Sequence, residues 1–161
     1  MKGITAEEKE FGWKMVQDML PIGRRIHRAN VEKKCQNKLN EQQYCVEMPD
    51  LTHKLLKCPA IKNEALKVKI VLEKYLGEEI ADKKIITLSF KNRNANKNQI
   101  AVWFAIRALY RIYHAGDNSK NCVLDSSIKE IDWNLSLNRK IGSAGEMMNF
   151  RSILYKTRDR R

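Results

Sequence analysis

The chain has little glycine, proline or aromatic content. Its 161 residues include 7 glycines and 3 prolines, and aromatic side chains make up 7% of the total. Chains that stay disordered are rich in glycine and proline and poor in apolar residues. Because 43% of the residues here are hydrophobic, we expect most of the chain to fold around a core.

Long apolar runs are also missing. The longest uncharged apolar run covers residues 100–106, whereas a membrane-spanning helix needs about 20 such residues. Near the start, Glu7, Glu8 and Glu10 stand where a secretory leader would place its apolar segment. We therefore expect an intracellular protein, in nucleus or cytoplasm, that does not act at a membrane. Thiols in those compartments stay reduced, so the four cysteines favour metal binding over disulfides.

Acidic residues are scarce relative to basic ones. The chain carries 31 Lys and Arg against 19 Asp and Glu, a net charge of +12. This balance favours a polyanionic partner, since each basic residue on a phosphate releases a condensed counterion. RNA or DNA is the predicted partner; the alternatives are a solvated basic surface without a partner and an anionic membrane surface.

Helical periodicity predicts an all-α fold with a short irregular zinc-binding segment near the N-terminal third. Thr5 and Glu8 form a capping box before the first helix, and Pro21 and Gly23 end it. Further helices are predicted at 60–76, with Gly77 as the stop, and at about 98–115. Another is predicted to begin after a cap at Asp125 or Ser126, and the last lies at about 145–157. A basic loop is predicted at 91–98. The segment from Ile80 to Phe90 fits either a short helix or an extended piece.

The irregular segment contains residues that zinc prefers. Three thiols and one imidazole, at Cys35, Cys45, His53 and Cys58, match a tetrahedral structural site with no open position for substrate. Such a segment buries little surface alone, so metal would supply its folding energy. The predicted organisation is a unit at 1–59, containing the first helix, a basic stretch and the zinc segment, and a helical domain at 60–161 with a basic tail.

Spacing favours one half of this set more than the other. His53 and Cys58 are five residues apart, or about 140° around a regular helix. Pro59 removes this difficulty, because the residue before a proline leaves the α conformation. Cys35, however, precedes Cys45 by ten positions, without the tight knuckle of most zinc sites. His27 is an alternative ligand, and unconnected buried thiols with a surface histidine are the alternative to a site.

The His-Lys-Leu-Leu-Lys-Cys-Pro run at residues 53–59 resembles the end of the zinc-binding segment that follows the polymerase domain of non-LTR retrotransposon reverse transcriptases. The spacing from Cys45 to His53 is similar to that family's, whereas the spacing of Cys35 departs from it. The Leu-Pro and Arg-rich stretch at 20–28 and the aromatic helix at 103–113 extend the resemblance. It implies a module that holds RNA or DNA beside a reverse transcriptase polymerase domain.

Several basic and aromatic residues are candidates for contacting nucleic acid. Basic side chains at phosphates give affinity without sequence choice, and an aromatic ring can stack on an unpaired base; for Tyr44, local packing is the alternative. The predicted contacts are Arg24, Arg25, Arg28, Tyr44, Lys91, Arg93 and Lys97, with the basic tail at 158–161 as a further group.

Catalytic motifs are missing from the sequence. It has no Asp-Asp polymerase turn and no glycine-rich phosphate loop. Asp125, Glu130 and Asp132 form an acidic group, interpreted as a solvated helix face rather than a nuclease site. We therefore expect no catalytic residue and no enzyme activity from this chain itself. The alternatives to a zinc-dependent nucleic-acid-binding module are a metal-free helical protein-interaction module and a relic without activity.

Overall fold

The computed structural model describes residues 3–20, 35, 37, 39, 43, 45–47, 50–114, 122–136 and 143–158, with the backbone alone at 122. Within these ranges the regular structure is helical, with no β-strand, which confirms the all-α prediction. The helices are α1 (Ala6–Val16), a π-helix (His53–Lys57), α2 (Lys62–Leu76), α3 (Asp82–Ile86), α4 (Ala95–His114), α5 (Cys122–Ser136) and α6 (Ala144–Arg158).

The capping box predicted for α1 is present. The Glu8 backbone N–H donates to Thr5 Oγ1 at 3.2 Å, and the Thr5 N–H donates to Glu8 Oε2 at 2.8 Å. This exchange satisfies two of the helix's otherwise unpaired N–H groups. The predicted stop signals, Pro21 and Gly23, lie outside the described residues; α1 itself ends at Val16.

The stop predicted for α2 is also present. Gly77 has a φ of 76°, in the left-handed region, and its N–H donates to the Glu73 carbonyl at 2.8 Å. Glycine adopts this conformation without the steric cost that a Cβ would add. The ambiguous segment that follows contains the short helix α3.

Two predicted helix starts were wrong. Helix α4 begins at Ala95 rather than near 98, because Asn94 Oδ1 accepts the N–H groups of Asn96 and Lys97. The predicted loop at 91–98 is therefore shorter. Helix α5 begins at Cys122, so Asp125 lies in its first turn and is not the cap. An acidic side chain in that turn is favoured by the helix dipole.

Helix α4 lies at the centre of the core. It packs against α1, α2, α5, α6 and the π-helix, and Trp103, Phe104 and Leu109 on it are almost fully buried. None of the helices in the described ranges combines the length and apolarity that a membrane span requires. The π-helix contacts both α2 and α4 and buries Leu55 and Leu56, which anchors the predicted metal-binding segment on the core. The proposed boundary at residue 59 stays a prediction.

Candidate metal centre

A hairpin brings the two upstream cysteines together. We use this name for the described residues of segment 35–47, which are paired by three backbone hydrogen bonds among themselves: Cys35 N–H to Glu47 O at 2.9 Å, Cys45 N–H to Asn37 O at 2.7 Å, and Leu39 N–H to Gln43 O at 2.7 Å. Cys35 thus lies opposite Glu47, diagonal to Cys45. Diagonal neighbours share a face of an antiparallel pair. The hairpin therefore replaces the short knuckle that the sequence lacks.

The π-helix brings the two downstream residues together. The Cys58 N–H donates to the His53 carbonyl at 2.8 Å, so one widened turn covers the five-residue interval. On a regular α-helix the side chains of these two residues would point in different directions. Cys58 then leaves the helix with φ −56° and ψ 131°, the conformation expected before Pro59. At the other end, Asp50 Oδ1 accepts the His53 N–H at 2.6 Å, an N-terminal cap.

Four metal-ligand atoms converge between the hairpin and the π-helix. The three sulfurs and an imidazole nitrogen of Cys35, Cys45, His53 and Cys58, which we call the donor cluster, all lie within 4.8 Å of one another. The Cys35 and Cys58 sulfurs are 3.6 Å apart, and the Cys45 sulfur is 3.4 Å from His53 Nε2. Ligands about 2.3 Å from a central ion would lie roughly 3.7 Å apart at the corners of a tetrahedron. The donor cluster therefore has the composition and dimensions to hold a metal ion.

Burial decides the protonation of the thiols. Removal from water raises the pKa of Cys35 to about 12 and also raises the pKa of Cys45, because the charged thiolate loses solvation. The backbone N–H groups of Asn37 and Glu47, hydrogen-bonded to these two sulfurs, oppose that shift. Without a cation both thiols stay neutral at pH 7. A bound metal ion would displace their protons.

Two charged residues that sequence reasoning missed contact the donor cluster. Glu47 Oε2 lies 3.0 Å from His53 Nδ1, which leaves Nε2 facing the Cys45 sulfur. Lys54 Nζ donates to the Cys35 carbonyl at 2.9 Å and to Asn37 Oδ1. Their only signal in the sequence is proximity to a predicted ligand, which many charged residues share.

The structure brings the predicted metal ligands together but describes only some of the predicted nucleic-acid contacts. All four predicted ligands belong to the donor cluster. Arg24, Arg25, Arg28 and Tyr44, and the alternative ligand His27, lie outside the described residues. Lys91 and Arg93 are exposed, whereas Lys97 is half-buried, its Nζ 5.5 Å from the centre of the Tyr75 ring.

The segment 91–94, which carries Lys91 and Arg93, is held by a network of asparagines. Asn92 and Asn98 exchange two hydrogen bonds of 2.8 Å between side chain and backbone. Asn94 Nδ2 donates to Glu146 Oε1 at 2.9 Å, and Tyr75 donates from its hydroxyl to Glu146 Oε2 at 3.1 Å. The segment is thus tied to α2, α4 and α6, which fixes the backbone that carries its two cations.

The acidic group on α5 is engaged in ion pairs. Asp132 pairs with Arg151, Glu130 Oε1 lies 3.5 Å from Arg107 Nη1, and Asp125 Oδ1 lies 3.7 Å from Arg158 Nη1. Each carboxylate therefore has its own arginine partner. Among the described residues, the donor cluster is the one group with metal-ligand geometry.

Comparisons with protein-family models, curated proteins and solved structures gave no match. The resemblance at residues 45–59 therefore stays a prediction.

Proposed function

We propose that this chain is a non-catalytic nucleic-acid-binding module whose N-terminal third is held together by a structural zinc ion. The observation that carries the proposal is the convergence of three sulfurs and one imidazole within 4.8 Å. Zinc is the metal that best suits such a tetrahedral set, and four protein ligands leave it no open position for substrate. Its role would be to close the hairpin onto the π-helix.

Metal analysis tests the zinc site directly. The purified protein is expected to contain one zinc per chain, and Cys58→Ser to contain almost none. The matched control is Cys122→Ser, which removes the cysteine that the sequence leaves outside the ligand set. Equal zinc content in wild type and Cys58→Ser, or none in wild type, would refute this part of the proposal.

The nucleic-acid partner is supported by charge and by its placement. The net charge is +12, and Lys91 and Arg93 project from a segment anchored by the asparagine network. A cation on an anchored backbone loses less conformational freedom on binding a phosphate than a cation on a mobile backbone does. Segment 91–94 is therefore a described surface suited to contact a nucleic-acid backbone.

A charge-matched comparison tests this surface. Lys91→Gln/Arg93→Gln is expected to weaken binding of an RNA or DNA oligonucleotide and to reduce the slope of log affinity against log salt by roughly 2. The control, Lys9→Gln/Lys129→Gln, removes the same charge from exposed positions next to Glu8 and Glu130, which pair with Arg107. These control positions are remote from segment 91–94, because Arg107 lies about 20 Å along α4 from Asn94. Equal losses in both double variants would place the binding surface elsewhere.

The resemblance to the zinc segment of non-LTR retrotransposon reverse transcriptases supports the same class of function and adds a partner. We infer that the chain acts beside a polymerase domain, supplied either by the same longer polypeptide or by a separate one. An adjacent reading frame encoding the polymerase motifs would support this inference. Its absence, together with no effect of this chain on template binding by such a polymerase, would count against it.

A metal-free protein-interaction module is the second candidate, favoured by exposed apolar side chains. On and just after α1, Trp13 is 57% exposed and Met19 55% exposed, and Trp133 on α5 is 59% exposed. Large exposed apolar groups often mark interaction sites. This candidate predicts that a chelator leaves the melting temperature and the far-UV circular dichroism spectrum unchanged.

A further inference from the structure

Two charged side chains, Glu47 and Lys54, contact the donor cluster without supplying a metal ligand. Glu47 lies on the hairpin and Lys54 on the π-helix, so each half of the cluster carries one of them. Resting on the proposed zinc site, we propose that they form its outer sphere: Glu47 orients the ligands, and Lys54 joins the two halves and offsets the charge of the occupied centre.

Glu47 touches three of the four residues of the donor cluster. Its carboxylate lies 3.0 Å from His53 Nδ1, and its backbone carbonyl accepts the Cys35 N–H at 2.9 Å. Its backbone N–H is hydrogen-bonded to the Cys45 sulfur. A carboxylate on one ring nitrogen sets the tautomer of the histidine, so that the other nitrogen presents its lone pair to a metal. Here that other nitrogen is Nε2, 3.4 Å from the Cys45 sulfur.

Lys54 connects the π-helix to the hairpin. It follows His53 directly, and its ammonium group reaches across to the Cys35 carbonyl and the Asn37 side chain. The lysine therefore fixes the distance between a histidine ligand and a cysteine ligand that are 18 positions apart in sequence. Asn37 is the residue whose backbone N–H is hydrogen-bonded to the Cys35 sulfur, so Lys54 also supports that contact.

Charge balance gives Lys54 a second role. Three thiolates, a neutral imidazole and a divalent cation together carry one net negative charge, whereas the carboxylate of Glu47 is 63% exposed and stays solvated. Buried charge is unfavourable unless it is paired. The ammonium group of Lys54 is half-buried beside this centre and supplies the opposite charge.

Zinc affinity of the full chain is the quantity to measure, by competition with a chromophoric chelator. Glu47→Ala is expected to raise the zinc dissociation constant tenfold to a hundredfold, the range found when such outer contacts are removed. Glu47→Gln, which keeps a hydrogen-bond acceptor but loses the charge, is expected to fall between Glu47→Ala and wild type.

Lys54 is tested by loss and rescue. Lys54→Met is expected to raise the dissociation constant about tenfold, whereas Lys54→Arg, which keeps the charge and the donors, stays close to wild type. Lys57→Met is the matched control, because Lys57 is exposed on the same π-helix and its ion pair is with Asp82 on α3, at 3.9 Å. It is expected to leave zinc affinity unchanged.

Two further measurements distinguish an effect on the orientation of the metal ligands from unfolding of the variant. Cobalt(II) bound in place of zinc gives a thiolate charge-transfer band whose intensity counts the sulfur ligands; it should be equal in wild type, Glu47→Gln and Lys54→Met. Urea unfolding of the metal-free proteins should give similar midpoints. If Glu47→Ala does not fold, Glu47→Gln carries the comparison.

The outcomes distinguish this inference from the zinc site on which it rests. A wild type that binds no zinc refutes both. A wild type that binds zinc, with Glu47 and Lys54 variants of equal affinity, refutes the outer sphere alone. A loss in Lys57→Met as large as that in Lys54→Met would show a general effect of surface charge and would overturn the role given to Lys54.

Discussion

At the scale of single residues, the buried charge of Arg107 on α4 shows how the N-terminal helix is attached to the core. Its Nη1 donates to the Gly3 carbonyl at 2.9 Å and lies 3.5 Å from Glu130 Oε1, while its Nε lies 3.5 Å from Glu8 Oε1. Arg107 and Glu8 are both largely withdrawn from water. One guanidinium thus joins α1, α4 and α5, while Glu8 also completes the capping box with Thr5.

Replacing Arg107 is therefore expected to be costly. Arg107→Met should lower the free energy of unfolding by about 3 kcal/mol, because removing one partner leaves the Glu8 carboxylate buried without its opposite charge. Urea denaturation followed by circular dichroism measures this. Lys9→Met, an exposed change on α1, is expected to stay within about 0.5 kcal/mol of wild type. A loss below about 1 kcal/mol for Arg107→Met would show that the carboxylates find water or other partners.

At the scale of elements, the end of α2 follows local rules more closely than the start of α4 does. The end of α2 depends on one glycine with a positive φ and one hydrogen bond within the helix. The start of α4 depends on an asparagine side chain, one of four in a run of basic and polar residues. Nothing in that run singles out Asn94, and its contact with Glu146 on α6 is tertiary.

Two glycine substitutions with opposite expected effects on stability test the left-handed conformation of Gly77. Gly77→Ala is expected to destabilise the protein by about 1 kcal/mol, because alanine is strained at a φ of 76° although the space around it is open. Gly145→Ala, in the first turn of α6 and equally open, is expected to stabilise it by up to about 1 kcal/mol. Thermal or urea unfolding checks both. The same sign for the two changes would contradict the assignment of left-handed geometry to Gly77.

At the scale of the whole molecule, a bound metal would couple the irregular N-terminal segment to the helical core. The hairpin holds two members of the donor cluster, and the π-helix, packed on α2 and α4, holds or immediately precedes the other two. A ligand that binds only the folded state stabilises it in proportion to the logarithm of its concentration. Metal content and global stability should therefore change together.

Free zinc at one hundred times its dissociation constant is expected to raise the free energy of unfolding by about 2.7 kcal/mol relative to the chelated protein. Calorimetry or urea unfolding at fixed free zinc measures this. Magnesium at the same concentration is expected to have no effect, since it prefers oxygen ligands. A melting temperature that is insensitive to both zinc and chelator would favour the metal-free interaction module.

Much of the fold and the chemical type of the site could be predicted from the sequence, because these features depend on neighbouring residues. The capping box of Thr5 and Glu8, the stop at Gly77 and the conformation of Cys58 before Pro59 all involve residues at most four positions apart. Periodicity likewise indicated α2 and α4. The ligand types, three cysteines and one histidine, came from the residue types and spacing of the irregular segment.

Other features depended on contacts between residues far apart in the chain. The hairpin pairing that places Cys35 beside Cys45, the packing of the π-helix on α2 and α4, and the contacts of Glu47 and Lys54 with the donor cluster carry no local pattern. The burial of Arg107 between α1 and α5 is of the same kind. The sequence by itself determined the cap of α1, the stop of α2 and which atoms could bind metal, since bonded geometry and short-range hydrogen bonds control these. The tertiary structure alone decided which of those atoms meet, because packing across the chain sets distances that spacing along the chain does not.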